Sequence, residues 1–155
     1  KKPVKVAALF EQVQAALQGS LAEAELSLQV QIEADRLFGD SDLLHSALTN
    51  LLDNAIKHSD PGQDIVLSAE KQDKSVVLTV TDQGRGIPEA ELARILQPFY
   101  RVDKARSRRL GGAGLGLAIC QLIAAAHGGE LVIESKLGQG TRASLVLPGE
   151  AQHEG

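Results

Sequence analysis

The stretch NLLDNAIKH, Asn50–His58, decides the reading of this chain, because it keeps a helical period while carrying two asparagines one turn apart. At about 100° per residue, with Asn50 at zero, Asn54 falls at about 40°, Lys57 at about -20° and His58 at about 80°. Leu44, Leu48, Leu51, Leu52, Ala55 and Ile56 take the opposite arc. Asparagine has poor helix propensity, so such a stripe on its own is ordinarily a row of solvated or capping side chains. Its chemistry opens another reading. Two amide oxygens one turn apart can hold a hard cation such as Mg²⁺, and Lys57 can meet the phosphates that the cation bridges.

Further along, VVLTVTD (Val76–Asp82) alternates as a strand and runs into QGRGIP. Asp82 ends the strand, and Gly84 and Gly86 release the backbone where a flat ring can approach. A carboxylate there accepts a hydrogen bond from an exocyclic amine such as that of adenine, and rejects a base lacking it. The same string is also an ordinary Asx-type turn; the company of the asparagine stripe favours the pocket. Arg101, Lys104, Arg106, Arg108 and Arg109 then crowd together just before GGAGLGLA, Gly111–Ala118. Gly112, Gly114 and Gly116 lead into a helix whose first amides bind phosphate with help from its dipole, so the basic run reads as a lid over an anion. Phe99 and Tyr100 either hinge that loop or simply pack. Neither better-known phosphate motif is met: no GxxxxGK[ST] occurs, and Leu117 stands where a dinucleotide fingerprint counted from Gly112 needs its third glycine.

Outward from these segments, apolar spacing predicts a helix over Val4–Leu17, stopped by Gly19, and alternation predicts a strand over Leu26–Ile32. Asp40 or Ser41 caps the asparagine helix, which runs to about Lys57 before the Pro61–Gly62 turn. Ile65–Glu70 and Val76–Thr81 read as an antiparallel hairpin. Pro88 opens a short helix to Leu96, Arg101–Gly114 reads as a loop, and Leu115–His127 as a helix ended by two glycines. Strands over Glu130–Ser135 and Arg142–Leu147 close a mixed sheet covered by helices on one face.

With 155 residues, one domain is expected, and a net charge of -4 disfavours a general nucleic-acid binder. Cys120 is the only cysteine and reads as a buried small hydrophobe. The apolar run Leu115–Ala126 is too short to span a bilayer, and no signal peptide or anchor is visible, so a cytoplasmic location without direct membrane insertion is expected.

The segments NLLDNAIKH, DQGRGIP, QPFYR and GGAGLGLA resemble, in order and spacing, the N box, first glycine box, F box and second glycine box of the catalytic and ATP-binding domain of sensor histidine kinases. That family shares a superfamily with gyrase, the heat-shock chaperone ATPases and MutL. The resemblance covers Asp40 to Pro148 and implies a two-layer α/β sandwich, the Bergerat fold, over residues 1–148 with a polar tail over 149–155. It implies ATP and Mg²⁺, with Asn54 the principal metal ligand and Asn50 supporting it. Lys57 and His58 would contact phosphate and ribose or base, and Asp82 would read the adenine amine beside Gly84, Gly86 and Ile87. Tyr100, Arg101 and Arg108 would approach from the lid, and Gly112, Gly114, Leu115, Gly116 and Leu117 would wrap the phosphates. Thr141 would hydrogen-bond near Asp82. Asn50, Lys57 and Arg101 would form the catalytic set.

Asn50 also discriminates within the superfamily. Its ATPase clamps and serine-directed kinases typically carry a glutamate there as general base, and an amide takes no proton at neutral pH. A histidine acceptor needs no such base, because its neutral imidazole nitrogen is already nucleophilic. The family's phosphoacceptor sits on a dimeric helical hairpin, and none of His45, His58, His127 or His153 has that context. His45 reads as structural, on the buried side of its helix. The expectation is a monomeric catalytic fragment, the cytoplasmic part of a membrane-anchored sensor, working with a dimerisation and histidine-phosphotransfer hairpin and a response regulator. A degenerate nucleotide-sensing or partner-docking module and a superfamily ATPase are the competing readings.

Overall fold

The computed structural model describes residues 2–84, 113–136 and 138–149. The expected short helix over Pro88–Leu96, the basic loop and the tail beyond Gly149 lie outside the described residues. The main sheet contains β2 (Ser27–Ile32), β4 (Asp64–Gln72), β5 (Ser75–Asp82), β6 (Glu130–Lys136) and β7 (Gly140–Pro148). Their order is β2-β4-β5-β7-β6, with β2 parallel to β4 and the other neighbours antiparallel. A separate ribbon pairs β1 (Lys2–Lys5) with β3 (Arg36–Gly39).

Helices α1 (Val6–Ala24), α2 (Ser41–His58) and α3 (Ala113–Ala126) share one core with the sheet. Strand alternation sends Ile65, Leu67 and Ala69 of β4, Val76, Leu78 and Val80 of β5, and Ala143, Leu145 and Leu147 of β7 into that core. From the helices, Leu9, Phe10, Leu44, Leu48, Leu52 and Cys120 meet them at 1% exposure or less. Each fully buried leucine of this kind contributes about 2 kcal/mol relative to an exposed one. This is the mixed sheet with helices on one face that the periodicities predict. On the opposite face the Thr79 and Ser144 hydroxyls pair across β5 and β7 at 3.1 Å.

Three local expectations need correction. Gly19 does not stop α1: the helix runs through it to Ala24, because Leu21 continues the buried stripe that Leu17 carries. The stop comes at Glu25, in the left-handed region at φ 59°, where the Leu26 N–H bonds the Leu21 carbonyl and closes a Schellman motif without glycine. Nor does the helix begin at Val4: it starts at Val6, and Val4 and Lys5 belong to β1, where burial of Val4 against its register partner Leu37 holds the ribbon. His45 is half-buried rather than enclosed.

The position of Gly19 yields a prediction. It is exposed within α1, and a Cβ there meets nothing within 4 Å. Gly19→Ala is expected to stabilise the protein by about 0.5–1 kcal/mol, read as a higher urea midpoint at unchanged slope. A lower midpoint would contradict the helical assignment.

α2 is fixed at its start. Its N-cap is Asp40, whose Oδ1 accepts the Leu43 N–H at 3.0 Å. The same residue's N–H donates to His127 Nε2 at 3.0 Å, while the ring's Nδ1 donates to the Ile123 carbonyl at 2.8 Å. Two such bonds define a neutral ring with its proton on Nδ1. His127 thereby ties the end of α3 to the start of α2, and Gly39 makes room for it: a Cβ there would stand 2.8 Å from the imidazole.

Candidate functional site

α2, β5, β6, β7 and α3 enclose a cavity lined by Leu51, Asn54, Ala55, His58, Val80, Asp82, Leu117, Ile133, Thr141 and Ala143. Its walls are mostly apolar, and its polar groups converge from three elements: Asn54 and His58 from α2, Asp82 from β5, Thr141 from β7. An apolar slot with a few placed polar atoms has the kind of lining a flat heteroaromatic ring uses, but its free volume is only about 20 Å³, so the walls must part to admit one.

Asp82 is 5% exposed and stands opposite Thr141 in the β5–β7 register. Its Oδ1 accepts the Gly84 N–H at 2.9 Å and the Thr141 N–H at 3.3 Å. No hydrogen bond from a described residue reaches Oδ2, which leaves that oxygen as an acceptor for a ligand. Burial pushes the carboxyl above its ordinary pKa, while the two N–H groups and the nearby His58 pull it part of the way back. The Thr141 hydroxyl turns instead to Ser135 Oγ, at 2.8 Å.

Gly84 has a packing reason for being glycine. A Cβ there would lie 1.9 Å from the His58 carbonyl oxygen, so the turn after β5 presses against the end of α2 and leaves no opening for a ring at that point. Gly140 is likewise pressed, at φ 108°, with its missing Cβ 2.2 Å from the Asp82 carbonyl oxygen. Gly140 belongs to the GQGT turn, residues 138–141, that leads into β7.

Among the asparagines, Asn54 Nδ2 is buried without a hydrogen-bond partner among the described residues. An orphaned buried amide costs about 1–3 kcal/mol, which a ligand group can recover. Rotating the amide puts Oδ1 in the same place, so this side chain fits a hard cation as well as a polar ligand atom. Asn50 donates its Nδ2 to the Ser46 carbonyl at 2.8 Å, which orients Oδ1 as its remaining acceptor. Lys57 pairs with Asp53 at 3.0 Å in a half-exposed i,i+4 contact of small energetic worth.

α3 starts at Ala113, two residues before the expected Leu115, so Gly114, Leu115 and Gly116 belong to its first turns and Leu117 is buried in the cavity wall. First-turn N–H groups lack intrahelical acceptors and can meet an anion. Gly86, Ile87, Tyr100, Arg101, Arg108 and Gly112 lie outside the described residues. The structure thus brings Asn54, His58, Asp82, Leu117 and Thr141 around one cavity. Asn50, Lys57 and Gly84 do not line it.

The profile of the family described as "Histidine kinase-, DNA gyrase B-, and HSP90-like ATPase" matches residues 39–151. The sensor-like histidine kinase SenX3 of Mycolicibacterium smegmatis is 42% identical over 125 residues, covering 77% of this chain and 33% of that protein. The signal transduction histidine-protein kinase BaeS of Escherichia coli is 35% identical over 149 residues, covering 96% of this chain and 32% of that protein. The chain therefore spans about a third of the length of these curated relatives. The solved structure of the mycobacterial sensor histidine kinase MprB superposes with a TM-score of 0.80 at 29% identity, over 97% of this chain and 99% of that one.

Proposed function

Because the chain belongs to the family of histidine kinase-, DNA gyrase B- and HSP90-like ATPases, we propose that it is the catalytic and ATP-binding part of a sensor histidine kinase, formed by residues 1–148 with a short polar tail. The observation that carries this reading is the pairing, across one apolar slot, of the Asp82 carboxylate with the Asn54 amide, whose Nδ2 has no hydrogen-bond partner among the described residues. Oδ2 of Asp82 accepts the adenine amine while Gly84 and Thr141 hold Oδ1 still.

Asn54, supported by Asn50 Oδ1, would hold Mg²⁺, which would supply charge neutralisation to the phosphates. The first turn of α3 presents N–H groups to the phosphates, and Lys57 can leave its weak surface pair for them. A histidine ring nitrogen on a separate hairpin then bonds to the γ-phosphorus as the bond to the bridging oxygen breaks, and ADP leaves with the electron pair. Asn50 is an amide and removes no proton, so water is poorly activated and the histidine nitrogen is the favoured nucleophile. Positioning and charge stabilisation do the rest.

The partners of this reading are a dimerisation and phosphotransfer hairpin and a response regulator; alone, the chain is monomeric. A cytoplasmic site accords with ATP as substrate, and no helix among the described residues is long and apolar enough to cross a membrane. The test is transfer from labelled ATP to a purified phosphoacceptor hairpin added in trans. Asn54→Ala is expected to lower the rate by roughly a hundredfold with a melting temperature that is not lowered, since the orphaned amide is removed. Turnover of ATP without any acceptor, at a rate matching the transfer, would favour an ATPase instead.

A further inference from the structure

Gln63 lies in the turn after α2, and its half-buried side chain bridges two connections that are 20 residues apart. Its Oε1 accepts the Asp60 N–H at 2.8 Å and its Nε2 donates to the Gln83 carbonyl at 3.2 Å. The turn itself is anchored from the other side, with the Gly62 N–H on the Glu25 carbonyl and the Ser27 N–H on the Gln63 carbonyl, at 2.8 and 3.2 Å. Gln83 sits between Asp82 and Gly84, the two residues whose mutual bond orients the carboxylate. No other donor among the described residues reaches the Gln83 carbonyl.

That peptide is therefore held from one side by the close approach of Gly84 to the His58 carbonyl, and from the other by the Gln63 amide. A carboxylate that selects a base by one hydrogen bond must be held to within a fraction of an ångström, and such precision comes from the groups supporting it. We propose that Gln63 is a positioning residue for purine selection: by fixing the Gln83 carbonyl it fixes the Asp82–Gly84 turn and the carboxylate aimed at the exocyclic amine. The proposal rests on the reading of the cavity as an adenine pocket.

Gln63→Glu keeps an acceptor for the Asp60 N–H but removes the donor and sets a carboxylate against the Gln83 carbonyl. Gln63→Met removes both bonds at similar length. The readout is the ratio of calorimetric affinities for Mg-ADP and Mg-IDP, in which a carbonyl replaces the amine, alongside the melting temperature. Both variants are expected to lower that ratio by about fivefold or more, through weaker ADP binding, the effect of one loosened hydrogen bond. A merely structural role would shift melting and leave the ratio untouched, and that result overturns the proposal while the adenine pocket stands. A parent protein that binds both nucleotides equally overturns the pocket reading and the proposal together.

Discussion

Asp82→Asn is expected to abolish measurable binding of Mg-ADP and Mg-ATP while leaving the fold as stable as before, or more so. The asparagine keeps Oδ1, so the Gly84 and Thr141 N–H groups retain their acceptor. Oδ2 becomes an NH₂ group, which meets the adenine amine donor to donor in a site 5% exposed to solvent. A mismatch of that kind leaves two buried donors unpaired, worth on the order of a hundredfold or more in affinity. Meanwhile the substitution removes a carboxylate whose burial is unfavourable in its charged form.

The sign of the pH dependence follows from the raised pKa of Asp82. The native state binds this proton more tightly than the unfolded chain does, so the group's contribution to stability declines as pH rises from its unfolded pKa through its folded one. Above that window the penalty is full; below it the penalty is gone. Nucleotide affinity runs the other way, because only the ionised carboxylate accepts the amine, and it falls as pH drops through the folded pKa. Paired titrations on parent and variant check both slopes: the variant lacks the stability term and shows no binding at any pH. Retained affinity, or a fall in neutral-pH stability, would contradict the assignment.

How much of this was legible in the sequence depended on whether a signal was local. α2 was read correctly because eighteen residues of helical period carry an aspartate cap and a polar stripe together. The β4–β5 and β6–β7 pairs followed from alternation and their turn residues. What escaped was set by contacts between distant segments. Gly84 was assigned to a ring when its missing Cβ belongs to the end of α2, and nothing in QGRGIP announces that neighbour. The Gln63 bridge and the His127 lock on Asp40 join residues 20 and 87 positions apart, and each looks like an ordinary polar side chain in its own window. Glu25 ended α1 in a conformation that glycine usually takes, so propensity pointed to Gly19 instead.

Gly138 and Gly140 separate two effects that a single glycine substitution confounds. Both have positive φ, 83° and 108°, so alanine at either is strained by its backbone, a cost of about 1 kcal/mol. Around Gly138 a Cβ meets nothing within 4 Å, whereas at Gly140 it would stand 2.2 Å from the Asp82 carbonyl oxygen and 2.9 Å from the Gln83 Cα. No real contact is that short, so β7 must move away from the end of β5. That displaces the Thr141 N–H from Asp82 Oδ1 and breaks the terminal Asp82–Thr141 pair of the ladder. Gly138→Ala is therefore expected to lower the melting temperature by about 2–4 °C and keep nucleotide binding. Gly140→Ala is expected to cost about 3 kcal/mol or more, roughly 10 °C, and to lose binding even at temperatures where the variant remains folded. Equal losses in the two variants would mean that φ alone matters here; unequal melting with equal binding would uncouple the GQGT turn from the carboxylate it supports.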